Sequence, residues 1–115
     1  MLHMRAEELK GHLDAMLLAA LEGGPRHGYA VIEALRQSTG GQLDLPTGTI
    51  YPALRRLEQA GLITGSWSVV GGRRRREYRL TAAGTRALSG RRADWLDFSA
   101  TVSAALEGRP CPSPA

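Results

Sequence analysis

The chain is short of several things, and each shortage narrows what it does. It has one cysteine, Cys111, so no internal disulfide can form. That cysteine lies in the proline-rich stretch 109–114, where a disordered tail is expected. The three histidines, His3, His12 and His27, are scattered, so nothing has the spacing of a metal site. No apolar run reaches the roughly 18 to 20 residues needed to cross a bilayer, and the N-terminus lacks a signal peptide's apolar centre. A cytoplasmic location is expected. No glycine-rich phosphate loop follows a strand, no serine sits in a nucleophile turn, and no histidine stands near a plausible nucleophile. Neither catalysis nor a cofactor is expected. Aromatics are scarce too, with two tryptophans, three tyrosines and one phenylalanine, so each needs a reason of its own.

What is present is arginine. Of fifteen basic residues only Lys10 is a lysine, and the formal net charge is +4. Genomic base composition can favour arginine over lysine, but it does not account for the run Arg73-Arg74-Arg75-Arg76. Arginine forks onto phosphate and guanine better than lysine does. At 115 residues the chain fits one domain with a modest core, and a second copy would add burial.

The apolar pattern predicts three helices, a hairpin and a final helix. Leu9, Leu13, Met16, Leu17, Ala20 and Leu21 form a helical stripe over 7–22, ended by Gly23-Gly24-Pro25. A second helix over 28–38 turns Val31, Ile32 and Leu35 inward, and Gly40-Gly41 ends it. After a short linker over 42–45, Pro46 and Thr47 open a third helix with Thr47 as N-cap and Ile50, Leu54 and Leu57 as its core stripe. The period then falls to two. A strand over 64–70 places Trp67 and Val69 on one face, Gly71-Gly72 turns, and a strand over 74–80 turns Tyr78 and Leu80 inward. Thr81 caps a long last helix whose seam carries Leu88, Trp95, Ser99, Val102 and Leu106, flanked by Leu96 and Phe98. Gly84 and Gly90 each weaken that helix by roughly 1 kcal/mol relative to alanine, so a partner surface is expected to support it. The fold class is mainly α with a small β-hairpin, a winged helix-turn-helix plus a long C-terminal helix.

Several fragments in order resemble the PadR family of transcriptional regulators. They are Gly28-Tyr29; the run Gly48-Thr49-Ile50-Tyr51-Pro52-Ala53-Leu54-Arg55-Arg56-Leu57-Glu58; Gly61-Leu62-Ile63; Gly71-Gly72-Arg73-Arg74-Arg75; and Tyr78-Arg79-Leu80-Thr81 with Gly84. The single last helix is similar to that of the short subfamily, in which it forms the dimer interface. The resemblance implies a homodimeric regulator, usually a repressor, on a two-fold symmetric operator, released in some members by phenolic acids or flat aromatic drugs. It divides the chain into a DNA-binding domain over 1–80, a dimerisation helix over 81–107 and a disordered tail over 108–115.

The residues carry the DNA reading on their own terms. A helix fits the major groove, whose edges distinguish all four base pairs. The third helix leaves Thr47, Thr49, Tyr51, Pro52, Arg55 and Arg56 off its core face, with the threonines near the end that usually approaches bases. Thr47 either caps the helix, contacts a base, or does both. Arg55 and Arg56 are either solvated, paired with Glu58, or one of them touches DNA. Tyr51 offers a hydroxyl to phosphate or is structural. On the wing alternate residues share a face, which favours Arg73 and Arg75 together, then Arg74. The plain alternative is a solvated charged face. Lys10 is a further candidate for a phosphate.

Trp95, with Phe98 and Ser99 beside it, is the candidate effector site. The competing reading makes it an aromatic anchor of the dimer core. The dimer interface is expected at Leu88, Trp95, Val102 and Leu106, meeting Leu13 and Met16 of the partner's first helix. Trp67 and His27 are expected to be structural. A second functional class stays open: an interaction module that keeps the fold and binds protein or a small molecule, which wing charge reversal would leave intact.

Overall fold

The structure, a computed structural model, describes Leu9 and residues 11–108. Lys10, His3 and the tail from 109 onward, with Cys111, lie outside the described residues. Helix α1 runs Leu13–Ala20 and does not extend through 7–22 as its stripe suggests. Gly11 is the reason. Its φ of +85° leaves the helical region, which glycine tolerates and other residues rarely adopt. At the other end, Leu21 and Glu22 donate back only three residues, to the carbonyls of Leu18 and Ala19, a tightened last turn.

Strand β1, Arg26–His27, follows and was not anticipated. It pairs antiparallel with β3, Arg73–Leu80, placing Arg26 opposite Tyr78 and His27 opposite Glu77. Helix α2 is Gly28–Ser38, and His27 caps it by accepting the Ala30 N–H at 3.3 Å. The linker before the third helix also departs from expectation. Leu43 and Leu45 are buried, so this stretch plugs the core and does not merely connect. Thr39 steers it there, donating to Leu35 O at 2.7 Å and accepting the Leu43 N–H at 3.0 Å.

Helix α3 is Thr47–Gln59. Its N-cap is Pro46, whose extended backbone offers no side-chain acceptor, and Thr47 is already the first helical residue. The expected Thr47 cap is therefore corrected by one position. Ile50, Leu54 and Leu57 are buried as expected, together with Ala53. Strand β2, Ile63–Val70, pairs with β3 across Gly71-Gly72, both at positive φ as a two-residue hairpin turn requires. The sheet has three strands in the order β1-β3-β2. Tyr78 is buried and Leu80 partly so, on one face.

Helix α4 is Ala82–Glu107, ended by Gly108 in the left-handed region. Thr81 caps it as expected, accepting the Gly84 N–H at 3.0 Å while donating to Gly61 O at 2.7 Å. Gly84 does not merely weaken this helix. It is buried, and a Cβ there would collide with the Leu62 carbonyl oxygen, so the first turn of α4 packs directly on backbone. A single core joins α1, α2, α3, the base of the hairpin and Leu88 of α4.

Candidate nucleic-acid interface

The side of α3 away from the core presents Gly48, Pro52, Arg55 and Gln59, an i, i+4, i+7, i+11 stripe, all exposed. Thr47 and Tyr51 flank it on one side and Thr49 and Arg56 on the other. Thr47 is exposed and free of a capping bond, whereas Thr49 is half-buried. The first half of this stripe is smooth. A Cβ on Gly48 would meet nothing within 4 Å, and Pro52 carries only its ring. Pro52 also has no N–H for the Gly48 carbonyl, which thereby loses its helical donor. A smooth helix face can approach base edges closely, leaving Thr47 at one end and Arg55 and Gln59 at the other to discriminate. Gln59 was not singled out from the sequence, although it stands four residues on from Arg55 within the helix that Gly61 closes, and that spacing alone puts it in line.

Tyr51 packs edge-to-face on Tyr29, ring centroids 6.4 Å apart. Its ring occupies the space where a Cβ on Gly28 would fall, at 2.5 Å from its hydroxyl, which explains glycine at that position. Burial, with Tyr29 adding to it, raises the Tyr51 phenol above its ordinary pKa. The hydroxyl stays protonated at neutral pH and can donate to a phosphate. Tyr29 is itself exposed beside it and is a second such donor that sequence reasoning passed over.

The arginines separate by partner. Arg56 pairs with Asp14 of α1 at 2.7 Å, not with Glu58; an exposed pair of this kind contributes about 0.2–1 kcal/mol. Glu58 instead holds Arg76 of β3, tying the wing to α3. Arg75 Nη1 lies 3.1 Å from His27 Nε2. Arg55, Arg73 and Arg74 are exposed and have no ion-pair partner among the described residues. Trp67 is not packed in the core. It is 59% exposed, with the guanidinium carbons of Arg74 and Arg76 at 4.6 and 5.5 Å from its ring.

The last helix carries a second candidate surface. Leu88 is only 2% exposed and belongs to the chain's own core, so the free seam begins beyond it. Trp95 is 51% exposed, and Leu96, Phe98, Val102 and Leu106 are exposed as well. Trp95 meets His12 edge-on at 5.3 Å and Phe98 at 6.1 Å; Ser99 is half-buried and donates to Leu96 O. Leu13 and Met16 pack partly against the chain's own core. Among the described residues no three His, Cys, Asp or Glu come together as metal ligands, and no helix is long and apolar enough to cross a membrane.

The model of the transcriptional regulator PadR-like family matches residues 17–90. A PadR family transcriptional regulator from Eggerthella lenta has 33% identity, covers 88% of this chain and 87% of its own, and superposes with a TM-score of 0.78. A PadR-like regulator from Bacillus cereus has 28% identity over 90% of this chain and all of its own, with a TM-score of 0.77. A transcriptional regulator of Mycobacterium tuberculosis is 44% identical over 64 residues, which are 56% of this chain and 47% of that protein.

Proposed function

This chain belongs to the PadR-like family of transcriptional regulators, and from that premise we propose that it represses transcription from the cytoplasm by binding a palindromic operator as a homodimer. The family's members are regulators, not enzymes. The observation that carries the proposal is the pairing of two surfaces. The smooth, polar face of α3 stands beside a narrow hairpin bearing exposed arginines, and the Glu58–Arg76 bridge fixes one against the other. In this reading α3 enters the major groove and reads bases, while the wing supplies charge to a phosphate track or a narrow minor groove. Residues 1–80 act as the DNA-binding unit and 81–107 as the dimerisation helix. Tyr51, Thr47, Thr49 and Arg55 belong to the first surface, and Arg73 and Arg74 to the second.

The dimer reading rests on Trp95, Val102 and Leu106, apolar, exposed and on one seam of α4. A symmetric pairing of that seam would bring Trp95 near its mate. Flat aromatic effectors are the ligands such a pair would stack, with Phe98 and Ser99 at the margin. Quenching of tryptophan emission by a flat aromatic, abolished in Trp95→Ala, would support this. Loss of thermal stability in Trp95→Ala with no aromatic ever binding would make the residue a packing anchor only.

The experiment for the DNA reading is a selection of bound duplexes from a random pool, followed by titration in rising salt. The recovered site should be an inverted repeat with half-sites about one helical turn apart. Replacing Arg73 and Arg74 with alanine should weaken operator and random DNA alike and lower the salt slope by about one unit per lost phosphate contact. Arg55→Ala should instead erode discrimination, by about 1–3 kcal/mol for a lost base contact. No enrichment from the pool, or a wing variant with an unaltered slope, contradicts the proposal.

A further inference from the structure

The four wing arginines are alike in sequence and unlike in position. Side chains alternate along β3, so Arg74, Arg76 and Tyr78 share one face and Arg73, Arg75 and Glu77 the other. The first face is the one turned toward α3, since Tyr78 is buried and Arg76 reaches Glu58. Trp67 lies on that same face, directly opposite Arg76 in the ladder and diagonal to Arg74. Gly65 completes the arrangement. Arg76 lies so close over it that a Cβ there would meet the guanidinium Nε at 2.6 Å. Arg76 is thus held between Glu58, Gly65 and the indole, and Arg75 is held at His27. Among the described residues Arg74 has only the indole, with its charged carbon 4.6 Å from the ring centroid.

We infer that Trp67 is a positioning residue for DNA binding: its exposed indole holds Arg74 extended on the α3-facing side of the wing, so that Arg74, and not Arg75, joins Arg73 of the hairpin tip in engaging the duplex. The inference rests on the DNA-binding reading above. Trp67 is 59% open to solvent, so its ring face is free to take a cation. A guanidinium resting on an aromatic face keeps all its N–H donors available around the ring edge, unlike one consumed by a carboxylate. Holding the long stem in place beforehand also reduces the rotamer freedom lost on contact. The face matters as well: Arg74 stands on the α3-facing side of the hairpin, Arg75 on the opposite side, and Arg73 at the turn itself.

The test is a double-mutant cycle on the full chain, read as affinity for a mixed-sequence DNA duplex across a range of salt. Trp67→Ala should weaken binding about two- to fivefold, the size of an exposed cation–π contact, and should lower the salt slope in the same direction as Arg74→Ala. In the Arg74→Ala background Trp67→Ala should cost nothing further. Trp67→Phe should restore binding. Trp67→Leu, which keeps apolar bulk without a π face, should behave like Trp67→Ala and guards against a variant that merely unfolds the hairpin. Equal cost of Trp67→Ala in both backgrounds overturns the inference, because the indole would then touch DNA itself. Wild-type binding by Trp67→Leu overturns it too. Failure of the unmodified protein to bind any duplex would instead defeat the DNA-binding reading beneath it.

Discussion

The two ends of α4 obey different rules. Through Leu88 the helix is part of the core: Gly84 presses on the backbone of Leu62 and Leu88 is buried among the other helices. Beyond Leu88 no described residue of α4 is buried, yet Trp95, Leu96, Phe98, Val102 and Leu106 all lie there. Polar ties hold the helix where packing thins out. Arg91 donates to Gly11 O at 3.2 Å, and Arg92 clasps Glu22 with two bonds at 2.8 and 2.9 Å. The same kind of side chain is therefore satisfied within the chain in one half and left open in the other. An apolar surface of that sort marks an interaction site more often than a defect.

The sharpest way to break the contrast is a charge on the open half. Val102→Asp should leave the monomer folded, because Val102 is exposed, yet cost on the order of several kcal/mol of association. Sedimentation should show a shift to monomer, with unchanged circular dichroism. Next in size is a methyl group on the docked half. Gly84→Ala forces a side chain against the Leu62 carbonyl and should lose about 3 kcal/mol of stability, read by denaturant titration.

The same substitution one step into the open half should have the opposite sign. A Cβ on Gly90 meets nothing within 4 Å, so Gly90→Ala should stabilise by about 1 kcal/mol through helix propensity alone. If both alanines destabilise alike, the division of α4 into two regimes fails. The smallest effect is electrostatic. The Arg92 hydrogen bond holds the Glu22 carboxyl below its usual range, so the pair's contribution is present above the unfolded carboxylate pKa. It is lost as pH falls through the lowered folded value. Glu22 is fully exposed, so thermal melts should show only a slight acid-side decline, flattened in Glu22→Gln.

Much of this was legible beforehand because it is local. Helical stripes, the Gly71-Gly72 turn and the Thr81 cap depend on neighbours in sequence, and the order of elements follows from them. The misses share a cause in tertiary contact. A two-residue β1 has no periodicity to detect, and its partner lies some fifty residues away in the register of Arg26 with Tyr78. Leu43 and Leu45 look like linker until α2 and α3 close over them. Gly84 reads as a weak point in a helix until Leu62 is placed beside it. Gly11 broke a good stripe because a single positive φ outweighs several well-spaced leucines.

The candidate site divides along the same line. Which residues of α3 leave the core follows from spacing, but which arginines are free does not. Arg56 is claimed by Asp14, 42 residues away, and Arg76 by Glu58, 18 residues away. Neither pairing has a local signature.

The most direct measurement is the mass of the complex formed on the selected operator, taken by sedimentation with protein in slight excess. Two chains on one duplex are expected, with Val102→Asp losing both the second chain and most of the affinity. One chain bound per duplex at full affinity would contradict the dimer reading.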